Sequence, residues 1–299
     1  MLKPNPYLLL VLCVLFWSGN FVLARAMSQE IPPVALSFWR WAVATLVILP
    51  WALGPLRRNW PLLRQHLARM LLLAALGVAG FNTLVYLGLQ HTTAINGLLL
   101  QSSLPLQIII LNAVLFRHPT SALELGSVFL SLAGVLLILA AGDLTHLLQG
   151  GWNPGDLWIL SAVLVWALYS TLLRLRPPGL DPLAFLGFTM LTGTLLILPL
   201  WLWELSTGVS PEMTANSLLT VAYVAIFPSV LSYLFWNRGV AEIGANRAGH
   251  FIHLNPVFGS LLAVGLLGET FAWYHAVGAL LVAIAIWISS RPAKDQLAS

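Results

Sequence analysis

Arg40 is the only charged side chain between Glu30 and Arg57, in a stretch otherwise apolar enough to cross a bilayer. An ionisable group at that depth is costly and is kept because it is tied to a partner or because it does work. Two readings follow. The guanidinium braces a helix-end carbonyl or a carboxylate such as Glu30 or Glu269, or its planar fork takes the carboxylate of a bound solute. Arg25 lies nearer the end of its own apolar run and can snorkel to the interface. Other polar side chains interrupt apolar runs at helical spacing. Trp17 and Asn20 share one stripe, and Trp166 and Tyr169 repeat the pattern. Asn82 and Tyr86 stand at i and i+4, Gln101 precedes Pro105, and Tyr233 sits deep in a late run. Asn246, His250 and His253 stand at i, i+4 and i+7 and so share a helix face. Each would be costly against lipid, so together they sketch a partly polar chamber with aromatic walls. The plainer account of the histidine stripe is interhelical hydrogen bonding. Tryptophans also anchor at membrane interfaces, which suits Trp51, Trp60, Trp152 and Trp273 better than Trp17 and Trp166.

Several chemistries find no support. No Gly-x-x-x-x-Gly-Lys stretch is present to cradle a phosphate, and no His-Glu-x-x-His to hold zinc. His250 and His253 lack a third ligand at a compelling spacing, so neither a metal nor a cofactor is expected. A membrane enzyme acting on lipid or prenyl substrates is the rival class. It would place convergent carboxylates at membrane depth, whereas the acidic residues here fall at helix ends and loops.

These residues must be positioned by membrane helices. Charged residues make up only 8% of the chain against 59% hydrophobic, and mean hydropathy is +0.87. So few charges cannot cover a soluble surface. With about 20 residues needed per span, ten windows qualify: 7–27, 33–53, 68–90, 93–114, 122–141, 153–174, 182–205, 214–239, 244–266 and 271–290. The breaks carry stop chemistry, among them Ile31-Pro32-Pro33, Gly54-Pro55 and Pro177-Pro178-Gly179. With both termini in the cytoplasm, twelve of the fourteen basic residues fall on the inner side, and only Arg25 and Arg40 lie elsewhere. The net charge of +4 therefore reads as topology, and no nucleic-acid partner is expected.

The chain also repeats itself. Thr45-Leu46-Val47-Ile48-Leu49-Pro50 recurs as Thr194-Leu195-Leu196-Ile197-Leu198-Pro199, and Trp17, Arg25 and Pro33 meet Trp166, Arg174 and Pro182 in that register. Looser pairs are Tyr86 with Tyr233 and Pro105 with Pro256. Residues 1–148 and 149–299 then form two five-helix repeats. Because five is odd, the second enters the membrane from the opposite side, an inverted-topology arrangement common in secondary transporters, with the site at the repeat interface. The fold class expected is all-α integral membrane, with ten transmembrane helices in two such repeats. Pro105 and Pro256 fall inside the fourth and ninth windows, as simple kinks or as gating hinges. Small residues in the fifth and tenth windows, Gly134 and Gly278 among them, suit close packing as a scaffold or a homodimer surface.

Two five-helix halves, Phe38-Trp39-Arg40 early in the second window, Pro105 and Pro256, and Gly268-Glu269-Thr270 resemble the EamA-type exporters of the drug/metabolite transporter superfamily, over nearly the whole chain. The tryptophan-rich character resembles the aromatic amino-acid exporter branch. Where the family carries a second Glu, thirteen residues after Pro105, this chain has His118. The resemblance implies a multi-pass protein of the bacterial inner membrane. It would export small amphipathic metabolites, amino acids with aromatic ones included, by alternating access without ATP. The expected contact set is Trp17, Asn20, Arg40, Asn82, Tyr86, Gln101, Trp166, Tyr169, Tyr233, His250 and His253, with Pro105 and Pro256 at the gates. Partners are a small-molecule substrate and the lipid bilayer.

Overall fold

The protein is described here by a computed structural model covering residues 5–117, 122–145, 152–212, 214–243 and 250–289. Helices α1 (Pro6–Ala26) and α2 (Pro33–Gln65) are followed by α3, which spans Leu67–Leu89 with a π-helical turn at Ala75–Gly80. Next come α4 (Ala94–Gln101), α5 (Leu104–Phe116), α6 (Ala122–Leu139), α7 (Pro154–Leu172) and α8 (Pro182–Ser206). The run α9 joins Ala215–Ala225, a second π turn at Ile226–Leu231 and Ser232–Ile243. The last two are α10 (Leu254–Leu267) and α11 (Trp273–Ser289). Six described helices are long and apolar enough to cross a membrane, and α4 with α5, bent by 44°, would make a seventh. Three apolar helices are shorter.

Local chemistry sets the helix ends. Asn5, Thr93, Asn153, Asp181 and Thr214 each accept from a backbone N–H in the first turn of the helix that follows, supplying orphan donors with an acceptor. Pro33, Pro154 and Pro182 begin their helices, where a missing N–H costs nothing. Apolar side chains then cover the outside, with Leu46, Val114, Leu219 and Leu261 all at least 68% exposed, as a lipid-facing surface requires.

Two expectations need correction. The second window was expected to stop at Gly54-Pro55, yet α2 runs on through Pro55 and Pro61 to Gln65. Its extension is held from outside, because Leu63 is buried in a cluster with Met70, Leu73, Phe185 and Phe188. Tertiary contact outweighs the lost backbone bonds, which fall beside Arg57 and Arg58 rather than in hydrocarbon. Likewise, Pro105 and Pro256 do not interrupt continuous helices. Each lies within the first three residues of α5 or α10, just after Ser102-Ser103 in one case and after the 3-10 turn His250–His253 in the other.

Helices α2 and α8 cross at the middle of the bundle, where the hydroxyls of Thr45 and Thr194 lie 3.2 Å apart. These are the same position in the two copies of the six-residue match. The two π turns are also 151 residues apart, in α3 and α9. Helices α6 and α11 pair with each other. A Cβ on Gly134 would stand 2.7 Å from the carbonyl oxygen of Gly278, and one on Gly278 would stand 2.9 Å from that of Gly134, so only glycine permits this approach at either place.

Candidate functional site

Arg40 lies seven residues into α2, about 10 Å below its end, and is 3% exposed. Its Nε donates to Ser229 Oγ at 2.7 Å, and its Nη1 donates to Asn20 Oδ1 at 2.9 Å and to Tyr86 OH at 2.7 Å. Tyr86 OH in turn donates to Asn20 Oδ1 at 2.7 Å. The guanidinium carbon also sits 5.0 Å from the Trp41 ring and 6.0 Å from that of Tyr86. One cation thereby joins α1, α2, α3 and the π turn of α9.

The expected brace to Glu30 or Glu269 is absent. Glu30 accepts from Thr214 Oγ1, and Glu269 accepts from the backbone N–H groups of Ala94 and Ile95. Among the described residues the one ion pair is Arg238–Glu242, on the exposed surface of α9. Arg40 is therefore held by neutral oxygens alone. Each is a weaker partner for a buried charge than a carboxylate.

The π turn explains how Ser229 enters this group. A π turn shifts the hydrogen-bond ladder by one residue and leaves a carbonyl free. Trp17 Nε1 donates to Pro228 O at 3.1 Å, and Ser229 Oγ donates to Val224 O. Pro228, inside Ile226–Leu231, lacks the N–H that the ladder needs and is the local mark of this break; neither it nor Ser229 was among the expected site residues.

Further aromatic contacts involve the helices that carry the polar group. Trp17 packs on Trp236 at 5.5 Å between centroids, and Trp166 packs on Phe81 at 4.7 Å and on Tyr169 at 5.0 Å. Tyr233 packs against the apolar cluster that includes Phe38 and Trp41. Asn82 is buried one turn before Tyr86 on α3. Of the expected contact residues, then, Asn20, Arg40 and Tyr86 are bonded together, Trp166 and Tyr169 pack on each other, and Trp17 pairs with Trp236.

Gln101 belongs to a second cluster. Its Oε1 accepts from Asn255 Nδ2 at 2.9 Å, and Asn255 Oδ1 accepts from Ser18 Oγ at 2.6 Å. A third group ties the helix ends: Asp156 accepts from Thr92 Oγ1 and from Asn96 Nδ2, and Asn96 Oδ1 meets His275 Nε2 at 2.9 Å. Sequence reading named neither Ser18, Asn255, Asp156 nor His275 as part of the site. Asn246 and the side chains of His250 and His253 lie outside the described residues. Among the described residues no group of three potential metal ligands occurs.

A further aromatic group adjoins Arg40. Phe38 stacks on Trp201 at 4.3 Å and 5°, and Trp39 meets Trp201 edge-on at 5.5 Å. The indole N–H groups of Trp39, Trp41 and Trp201 are buried without an acceptor.

Comparison with known proteins sets this geometry in context. The pattern of the EamA-like transporter family matches residues 5–140 and again residues 153–291. An uncharacterized transporter of Bacillus subtilis, YyaM, is 28% identical over 289 residues, covering 96% of this chain and 93% of its own. A probable terminal-alkyne amino-acid exporter of Streptantibioticus cattleyicolor is 26% identical over 285 residues, covering 94% and 92%. A solved crystal structure superposes with a TM-score of 0.63 at 19% identity, covering 97% of each chain, and at that identity it speaks for the fold alone.

Proposed function

As the chain belongs to the EamA-like transporter family, we propose that it is a secondary transporter that exports small amphipathic metabolites, chiefly amino acids with aromatic ones among them. It would move by alternating access and without ATP. The name of the Streptantibioticus relative, a probable amino-acid exporter, supports the substrate class.

The observation that carries the reading is Arg40. A cation this deep, hydrogen-bonded among the described residues to Asn20, Tyr86 and Ser229, lies where a carboxylate would meet a charge-assisted donor. The rings of Trp17, Trp166, Tyr86 and Tyr233 would receive the solute's side chain. The guanidinium also bonds to α1 and α3 on one side and to α9 on the other, so a solute that competes for it loosens the contact between residues 1–148 and 149–299. Those segments are the two five-helix units of opposite orientation in this reading. Thr45 and Thr194 lie near the axis that relates them, and the breaks before Pro105 and Pro256 serve as hinges. The distribution of basic residues supports both termini on the cytoplasmic side, and the family resemblance supports placement in a bacterial inner membrane.

Export of phenylalanine, tryptophan, threonine and lysine from loaded vesicles tests the reading, with the wild type beside Trp17→Ala and Trp166→Ala. Aromatic amino acids should pass at the higher rate, and each replacement should reduce that preference. If neither aromatic amino acid is carried, the proposed substrate class is wrong.

A further inference from the structure

The chain has ten acidic residues, and its helix boundaries account for nine of them. Glu30, Asp143, Asp156, Glu204, Glu212 and Glu269 fall at the end of the bundle where α1 finishes and α2 begins. Glu124, Asp181 and Glu242 fall at the opposite end, and Asp295 follows α11. None stands in a mid-span turn beside Arg40.

The groups left unmet around Arg40 are donors. Nε and Nη1 are engaged with Ser229, Asn20 and Tyr86. The indole N–H groups of Trp39 and Trp41, which flank Arg40 in the chain, are buried donors with no acceptor among the described residues, and the Trp41 ring lies 5.0 Å from the guanidinium carbon. The three oxygens that Arg40 does reach are neutral. An ionised carboxylate brings acceptors only, whereas an ammonium brings three donors and no acceptor. A solute carboxylate would therefore meet both the unmatched charge and the unmatched donors. A solute ammonium would add to the donor surplus and place a second cation near the first in a medium that screens it poorly.

We propose that this site ranks solutes of one shape by their charge, taking aryl monocarboxylates ahead of zwitterionic amino acids and amines last. The inference rests on the transport reading above and names the charge class of its preferred solute. Amino acids are still carried, at the expense of an ammonium held only by neutral groups.

Three compounds sharing one ring separate the possibilities: 3-phenylpropionate, L-phenylalanine and 2-phenylethylamine. The full-length protein is reconstituted in proteoliposomes, and each compound is tested both as labelled counterflow substrate and as competitor. The competing concentration of 3-phenylpropionate should be roughly tenfold or more below that of phenylalanine, with phenylethylamine weakest. Arg40→Gln should bring the three within about threefold of one another. Arg40→Lys keeps the charge without the planar fork and should preserve the order at lower affinity, which retains a reading if the glutamine variant does not fold. Phenylalanine binding as tightly as 3-phenylpropionate in the wild type, or an unchanged ranking in Arg40→Gln, would overturn the inference and leave the transport reading standing. Failure of all three labelled compounds to enter would overturn the inference together with the proposed substrate class.

Discussion

At one end of the bundle two glutamates from distant segments each accept from a pair of helix N-terminal amides. Glu204 accepts from Val34 and Ala35 at 3.1 and 2.7 Å, and Glu269 accepts from Ala94 and Ile95 at 2.8 and 3.0 Å. At the other end Arg174 lies over the Phe116 ring at 4.3 Å and Arg176 over Phe185 at 5.1 Å, with Arg176 Nη2 also donating to Leu180 O and the Asp181 N–H donating to Asn59 Oδ1 at 3.3 Å. Both arrangements use charge, but they constrain motion differently. A carboxylate bonded to two amides is directional and gains from the helix dipole. A guanidinium on a ring tolerates sliding and is worth about 0.5–1 kcal/mol when exposed. Thr92, Asn96, Asp156 and His275 add further bonds at the acidic end. The comparison implies that the acidic end is the more firmly closed in this conformation and that the arginine end yields first.

The strongest test of that contrast is to remove the carboxylates. Glu269→Ala and Glu204→Ala each strand two buried helix-end donors, at about 1.5–3 kcal/mol per site. Thermal unfolding of the purified variants in detergent should show midpoints several degrees lower. If either carboxylate is dispensable, the acidic end is not clamped as described. Arg174→Ala and Arg176→Ala should cost less, at most about 1 kcal/mol each. An effect as large as that of the glutamates would erase the difference between the ends.

Motion can be read directly. The chain has one cysteine, Cys13, buried with its Sγ 3.3 Å from Ser232 O, so Cys13→Ser supplies a background for paired spin labels. Labels bridging α2 and α8 at the arginine end should give the broader distance distribution and shift more on adding solute than labels at the acidic end. The reverse order would invert the account. The smallest effect is expected where the two ends meet. Thr45→Val removes one side of the hydroxyl contact, and Thr194→Val removes the other side together with its bond to Met190 O; each should cost about 1 kcal/mol or less, and the double variant should cost less than the two combined.

The sequence made the helices legible because prolines and cap residues mark their ends. The window 182–205 emerges as Pro182–Ser206 and 7–27 as Pro6–Ala26. The overrun of α2 was not legible, since it depends on Leu63 finding a cluster supplied partly by α8. Arg40 was conspicuous because a lone charge in an apolar run has few uses, and its neighbours Asn20 and Tyr86 showed as polar breaks at helical spacing. Ser229 and Asn255 did not, because small polar residues are common in membrane helices. Their roles depend on a π turn and on which helices become neighbours. The π turns also place α3 and α9 in a register of 151 residues, whereas the sequence pairing of Tyr86 with Tyr233 is 147. The inserted residue of a π turn leaves no mark in hydropathy.

Central to this account is carriage of a solute by the protein itself, with no ATP and no ion gradient. Counterflow measures this directly: vesicles containing the reconstituted chain are loaded with unlabelled phenylalanine and diluted into a trace of labelled phenylalanine, with equal pH and salt on both sides. The account predicts transient accumulation of label above that in protein-free vesicles, and its reduction in Arg40→Ala. Absence of accumulation by folded protein, or accumulation that appears only when a proton gradient is imposed, would contradict it.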